Sequence, residues 1–189
     1  MIKLQNISFA YGEKQVLKDF SLEIKNGDRI CLFGQSGCGK TTLLRLILGL
    51  ENLKKGKITI KKGLKPSIVF QENRMLPFKS VIDNITLFGA DKETALENLK
   101  ALGIPETADL KPEELSGGME RRAAIARALS QDFDYLLLDE PFTGLDQATL
   151  KITAKHILKV AKDKPIILIT HSEEEAKLRL LKKFQIQHY

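Results

Sequence analysis

Apolar residues along this 189-residue chain repeat with two different periods, and the switches between them mark out the elements. Ile2, Leu4, Ile7 and Phe9 alternate in part with polar neighbours, which predicts a half-buried strand over Ile2–Phe9. A turn at Tyr11-Gly12-Glu13 leads to a second strand over roughly Val16–Ile24, ended by Asn26-Gly27-Asp28. Gly56–Ile60 joins these two as an antiparallel β element. Short core strands are then read at Arg29–Phe33, Ser67–Phe70, Tyr135–Leu138 and Pro165–Ile169, and Tyr135–Leu138 is a continuous apolar run, as expected of a strand covered on both faces. Helical spacing predicts helices over Thr41–Leu48, Ser80–Leu87, Lys92–Leu102, Met119–Leu129 and Gln147–Ala161. In the last of these Leu150, Ala154, Ile157, Leu158 and Ala161 share a face. A final helix is read from Ser172 to about Leu181 and an edge strand over Phe184–Gln187. The pattern is that of an α/β chain whose helical stretch, at about residues 72–128 and punctuated by Pro105 and Pro112, is inserted between core strands.

Composition narrows this picture. With 43% hydrophobic residues, 189 residues suit one compact domain. The longest run without a charge is ten residues, Ile30–Gly39, against the roughly 20 apolar residues of a membrane span. Lys3 interrupts the N-terminus and Asn6, Ser8 and Glu13 follow, so no signal peptide is read and a soluble, cytoplasmic protein is expected. Eighteen residues follow His171, so no appended regulatory domain is expected. The net charge of +6 is dispersed, with small clusters at Lys54-Lys55, Lys61-Lys62 and Lys182-Lys183 among many acids. That reads as a solvated surface, and no nucleic-acid partner is expected. Cys31 and Cys38 are too few and too close for a disulfide framework; Cys31 is expected in the core.

The chemistry centres on Gly34-Gln35-Ser36-Gly37-Cys38-Gly39-Lys40-Thr41-Thr42, which fits G-x-x-x-x-G-K-[ST] between a predicted strand and a predicted helix. Gly34, Gly37 and Gly39 let bare backbone curl round a phosphate, with N–H groups pointing inward. The helix N-terminus adds partial positive charge. Lys40 supplies a full charge to the β- and γ-phosphates, and the Thr41 hydroxyl suits Mg²⁺. A nucleoside triphosphate is therefore the expected ligand. A second carboxylate on the metal side is offered by the apolar strand that ends in Asp139-Glu140. Asp139 is placed to hold Mg²⁺ through water, and Glu140 to polarise an attacking water as general base.

Leu115-Ser116-Gly117-Gly118-Met119 precedes a cationic helix; Ser116 is a good N-cap, and Gly117 and Gly118 permit close approach to an anion. The order of phosphate loop, Gln71, L-S-G-G-x, strand-Asp-Glu and strand-His resembles the ATP-binding cassette of ABC transporters, from about residue 2 to residue 180. The resemblance implies a P-loop NTPase core sheet with an antiparallel β subdomain and an inserted helical subdomain. It implies ATP and Mg²⁺ as ligands and an ATP-sandwich dimer in which Ser116, Gly117 and Gly118 close over the γ-phosphate held by the partner. By the same resemblance Tyr11 stacks on adenine, Gln71 reaches Mg²⁺ and the attacking water, Asp146 links the two sites across the dimer, and His171 contacts the γ-phosphate. Read without it, Tyr11 is a packing residue, Gln71 a solvated loop residue, Asp146 the N-cap of the Gln147 helix and His171 a structural histidine. His156 and His188 receive no role.

Three features depart from the family pattern. Met119 replaces the commoner Gln, Arg121 stands where Gln often precedes the Arg, and Lys61–Pro66 is shorter than usual, in a minimal cassette. Gln71–Phe78 followed by Val81–Asn84 is similar to ATPases of the nitrate, sulfonate and taurine importer group. The reading is an ATP-hydrolysing subunit, an importer's by that likeness, that powers a separate membrane-spanning permease. A second ATPase subunit and a substrate-binding protein are implied partners, and the chain would sit on the inner face of the cell membrane. The alternative is a soluble ABC ATPase of iron–sulfur assembly or of DNA. A kinase would not need L-S-G-G-x, and a GTPase would need N-K-x-D, which the chain lacks.

Overall fold

The structure, a computed structural model, describes residues 2–35, 37–176 and 182–185. The first layer is an antiparallel sheet of β1 (Ile2–Tyr11), β2 (Lys14–Ile24) and β4 (Lys55–Ile60), ordered β2-β1-β4. Between β2 and β4 the chain supplies β3 (Arg29–Phe33) and α1 (Lys40–Ile47). The alternation of Ile2, Leu4, Ile7 and Phe9 is only partial because the β1–β2 register shifts between Leu4 and Ile7. Asn6 lies there with φ +49°, its N–H on the Ser21 hydroxyl. The bulge resets the phase and keeps all four side chains buried.

β5 (Pro66–Val69), β6 (Tyr135–Asp139), β7 (Ile166–Thr170) and β8 (Lys182–Gln185) join β3 in a second sheet of order β5-β6-β7-β3-β8, parallel at every pairing. β6 and β7 are apolar up to their last residue and buried along their whole length, because both faces are covered there. Cys31, Leu136, Leu138, Ile166 and Leu168 pack on the helical side, while Ile30, Leu32, Leu137, Ile167 and Ile169 pack towards α1 and the antiparallel sheet. The helical side is built from α2 (Val81–Thr86), α3 (Lys92–Ala101), α4 (Gly117–Leu129) and α5 (Gln147–Ala161). α6 (Glu173–Ala176) follows β7; the rest of the helix expected to Leu181 lies outside the described residues, as do Ile186 and Gln187 of the expected edge strand.

Element boundaries differ from expectation where glycine or a cap decides them. α4 begins at Gly117, two residues before the expected Met119, because the Ser116 hydroxyl accepts the Met119 N–H and starts the helix despite two glycines. β2 begins at Lys14 because Tyr11 pairs with Lys14 across a two-residue turn, with Gly12 at φ +58°.

Candidate functional site

Parallel strands bring their C-terminal ends to one edge, and four of those ends carry the expected chemistry. β3 leads into the phosphate loop, β5 into Gln71, β6 ends in Asp139 before Glu140, and β7 ends in Thr170 before His171. The pairings Phe33↔Thr170, Asp139↔Ile169 and Val69↔Leu138 align these ends. The result is a pocket of about 210 Å³ lined by Gly37, Gly39, Lys40, Thr41, Thr42, Gln71 and Glu140. Gly34, Gln35 and Cys38 complete the loop, and Ser36 lies outside the described residues.

Gly39 is fixed by its surroundings. Its φ is +97°, and a Cβ there would lie 2.8 Å from both Cγ1 and the carbonyl oxygen of Val16 and 3.0 Å from Leu17 Cδ2. The antiparallel sheet thus backs the loop directly at the first turn of α1. Lys40 is buried, and its ammonium donates to the carbonyl oxygens of Gly34 at 2.6 Å and Gln35 at 2.9 Å. The loop's own carbonyls therefore hold the cation at the head of the pocket.

Behind it, Thr41 Oγ1 donates to Asp139 Oδ2 at 3.1 Å. Asp139 is 2% exposed. Burial pushes its carboxyl above the ordinary range and Glu140 adds to this, while the Thr41 hydrogen bond, Lys40 and Arg121 oppose it. Glu140 Oε1 stands 2.8 Å from His171 Nδ1, so the two residues at the strand ends meet at the pocket. Glu140 is held in the left-handed region, φ +48°, which is costly for a residue with a Cβ. Its N–H donates to Ile169 O at 2.8 Å, and its own carbonyl accepts from Arg121 Nη2 at 2.7 Å.

The other expected residues sit apart from this pocket. Ser116 and Gly117 are solvent-exposed at the N-terminus of α4, and neither they nor Gly118 are among its described lining residues. A Cβ on Gly118 would lie 3.5 Å from Gly144 O, so this helix start packs beside the Thr143–Asp146 turn. Asp146 caps α5, accepting from Ala148 N, Thr149 N and Thr149 Oγ1, and the Thr149 bonds hold its carboxyl below the ordinary range. Tyr11 is half-exposed at the end of β1, edge-on to Phe9 with centroids 4.9 Å apart, its hydroxyl donating to Glu51 at 3.0 Å. His156 is structural: its Nε2 lies 2.6 Å from Asn98 Oδ1, and burial lowers its pKa.

Two residues near the site were missed in the sequence. Arg121, beneath Glu140, was marked there only as a departure from pattern. Glu175 of α6 is buried, its carboxyl raised by that burial, with the Thr170 hydroxyl as a hydrogen-bond partner and Oε2 unpartnered. An acid in a run of three, Glu173–Glu175, carries no signal of burial by itself.

Residues 17–143 match the model of the family described as ABC transporter. The aliphatic sulfonates import ATP-binding protein of Paracoccus denitrificans is 40% identical over 185 residues, covering 94% of this chain and 75% of that protein. Its counterpart in Zymomonas mobilis is 40% identical, with 93% and 77% covered. An ATP-binding cassette solved as a dimer in a post-hydrolysis state with ADP and Pi superposes with a TM-score of 0.88 at 28% identity, covering 99% of this chain and 94% of that one. An ATP-bound exporter of the Atm1 family gives the same TM-score at 25% identity, over 98% of this chain and 36% of the exporter. The chain belongs to the ATP-binding proteins of the ABC transporter family.

Proposed function

We propose that this ABC ATPase powers uptake of a small sulfonate-like anion through a separate permease, with two copies of the chain closing head-to-tail on two ATP molecules. The observation that carries the hydrolytic reading is the Glu140 carboxylate, which lines the phosphate pocket 2.8 Å from His171. Lys40 binds the β- and γ-phosphates, exchanging loop carbonyls for phosphate oxygens. Glu140 takes the proton of the attacking water, and His171 and Gln71 orient groups round the γ-phosphate. Thr41, Asp139 and Gln71 fit Mg²⁺, because they offer hard oxygens and because the buried Asp139 carboxylate is short of solvation that a cation restores. When bound, that ion neutralises charge on the phosphates.

The Ser116–Gly118 helix start, exposed at Ser116 and Gly117 and apart from its own pocket, supports a role on a partner's ATP, with Asp146 beside it linking the sites and Tyr11 offering a ring to the adenine. Residues 1–189 act as one ATPase domain, in which the helices at about 72–128 form the subdomain that meets the permease. Support comes from a groove of about 550 Å³, lined in part by Phe70, Arg74, Phe88 and Gln131. Phe78, Leu87 and Phe88 are exposed on the same helical segment. Among the described residues no helix is long and apolar enough to cross a membrane, consistent with a peripheral subunit on the cytoplasmic face. The sulfonate class rests on the named relatives; a substrate-binding protein would deliver that substrate, and no nucleic acid takes part.

Glu140→Gln is expected to keep ATP binding and cut turnover by about 10²–10⁴, the usual worth of a general base. Unchanged turnover would remove Glu140 from the role. Purified with ATP-Mg²⁺ from its native cells in mild detergent, the tagged variant should bring a multi-span membrane protein at stoichiometric level. Recovery of soluble partners alone would contradict the transport reading.

A further inference from the structure

Arg121 is a buried cation, 3% exposed, for which the steps above have no use. Its guanidinium spans three acceptors: Nη1 donates to Phe70 O at 2.7 Å and to Asn73 Oδ1 at 3.0 Å, and Nη2 donates to Glu140 O at 2.7 Å. Phe70 immediately precedes Gln71. One side chain of α4 thus grips both the entry to the Gln71 segment and the peptide of the residue that activates water.

The Glu140 peptide is the part of the site most in need of such a grip. Its left-handed backbone persists only where the surroundings over-determine it. Its carbonyl accepts two donors, and the Arg121 bond at 2.7 Å is the shorter; Thr143 N stands at 3.3 Å. The planar fork of a guanidinium serves diverging acceptors at once, which neither a Lys ammonium nor a Gln amide does from the same position. Burial lowers the pKa of Arg121, but Asp139, Glu140, Glu175 and Glu120 oppose this and favour its charged form. Arg127, two turns along α4, anchors the same segment through Asn73 O and Arg74 O, with no contact to Glu140 among its hydrogen bonds. Arg121 therefore differs from an ordinary anchor in joining that segment to Glu140.

We propose that Arg121 is a positioning residue for hydrolysis, locking the Glu140 peptide and the start of the Gln71 segment into one unit so that both side chains face the phosphate together. The assignment rests on the reading of Glu140 as the group that activates water.

The test is ATP-Mg²⁺ turnover of the purified chain carrying Arg121→Ala, Arg121→Gln or Arg121→Lys. Each is made in the wild-type and Glu140→Gln backgrounds, with single-turnover measurement in the latter. Misplacing a catalytic group by about 1 Å costs on the order of 10²-fold. Arg121→Ala is therefore expected to lower kcat by about 10–100-fold, with KM for ATP within about threefold. Arg121→Lys should recover part of that loss, since it keeps the charge and one acceptor. In the Glu140→Gln background the alanine change should cost clearly less than in the wild-type background, because the part of its effect that runs through the carboxylate is gone and only the part through Gln71 remains. Full kcat in Arg121→Ala or Arg121→Gln, or a fully multiplicative loss on top of Glu140→Gln, would overturn the assignment. If Arg121→Ala does not fold, Arg121→Gln decides by the same two criteria. Wild-type turnover of Glu140→Gln would bring down the catalytic reading and this inference with it. Loss of turnover in Glu140→Gln alone, with every Arg121 variant active, would bring down only the inference.

Discussion

Gly39 shows how closely the site depends on individual residues. A methyl group there meets Val16 at 2.8 Å and Leu17 at 3.0 Å, in a backbone at φ +97°. Gly39→Ala is expected to cost about 2–5 kcal/mol, combining left-handed strain with overpacking, and to weaken ATP binding together with Tm. A variant with unchanged Tm and affinity would mean that the loop and β2 are less tightly apposed. Glu175 gives a prediction in pH. Its folded carboxyl is raised above the ordinary 4.5 by burial and by Glu140, against Thr170, His171 and Arg121. The native state then holds this proton more tightly than the unfolded chain, so stability falls as pH rises from about 4.5 through the raised value and levels off above it. Glu175→Gln removes that slope, and its Tm relative to wild type should climb across this window; a constant difference contradicts the buried carboxylate. The residues that were legible in the sequence are those with fixed spacing, such as Lys40, Thr41, Asp139 and Glu140. Arg121 and Glu175 were not, because their meaning lies in partners 51 positions away, as for Arg121 and Phe70, or in burial that no local pattern reports.

Elements were legible where a period runs unbroken, and their ends where a cap is strong. The Gln147–Ala161 helix matches its expected span, with Asp146 as its cap. The start of α4 was placed late, because two glycines hide the onset of a helix that the Ser116 cap imposes. The energetic role of that short stretch and the functional role proposed for it are separated by two substitutions. Ser116→Ala loses the hydrogen bond to Met119 N and should cost about 1 kcal/mol in chemical unfolding. Ser116→Arg should leave ATP binding by the monomer intact and block ATP-driven dimerisation. A Ser116→Arg chain that still pairs with ATP would contradict the trans role of this helix start.

For the whole molecule, the layers were legible and the strand order was not. Continuous apolar runs identify strands covered on both faces, but nothing local says that β3 lies between β7 and β8 rather than beside β5. That order matters, since it collects the ends of β3, β5, β6 and β7 at one edge. It also leaves Ser116–Gly118 off the pocket, so that in one chain the phosphate loop and the glycine-rich start of α4 lie apart. The central claim is that each completes the other across two copies. The most direct measurement is the sedimentation mass of purified Glu140→Gln chain, 21.2 kDa as a monomer, with and without saturating ATP-Mg²⁺. The account predicts a monomer without nucleotide and about twice that mass with ATP. A chain that binds ATP at full occupancy and stays at the monomer mass would contradict it.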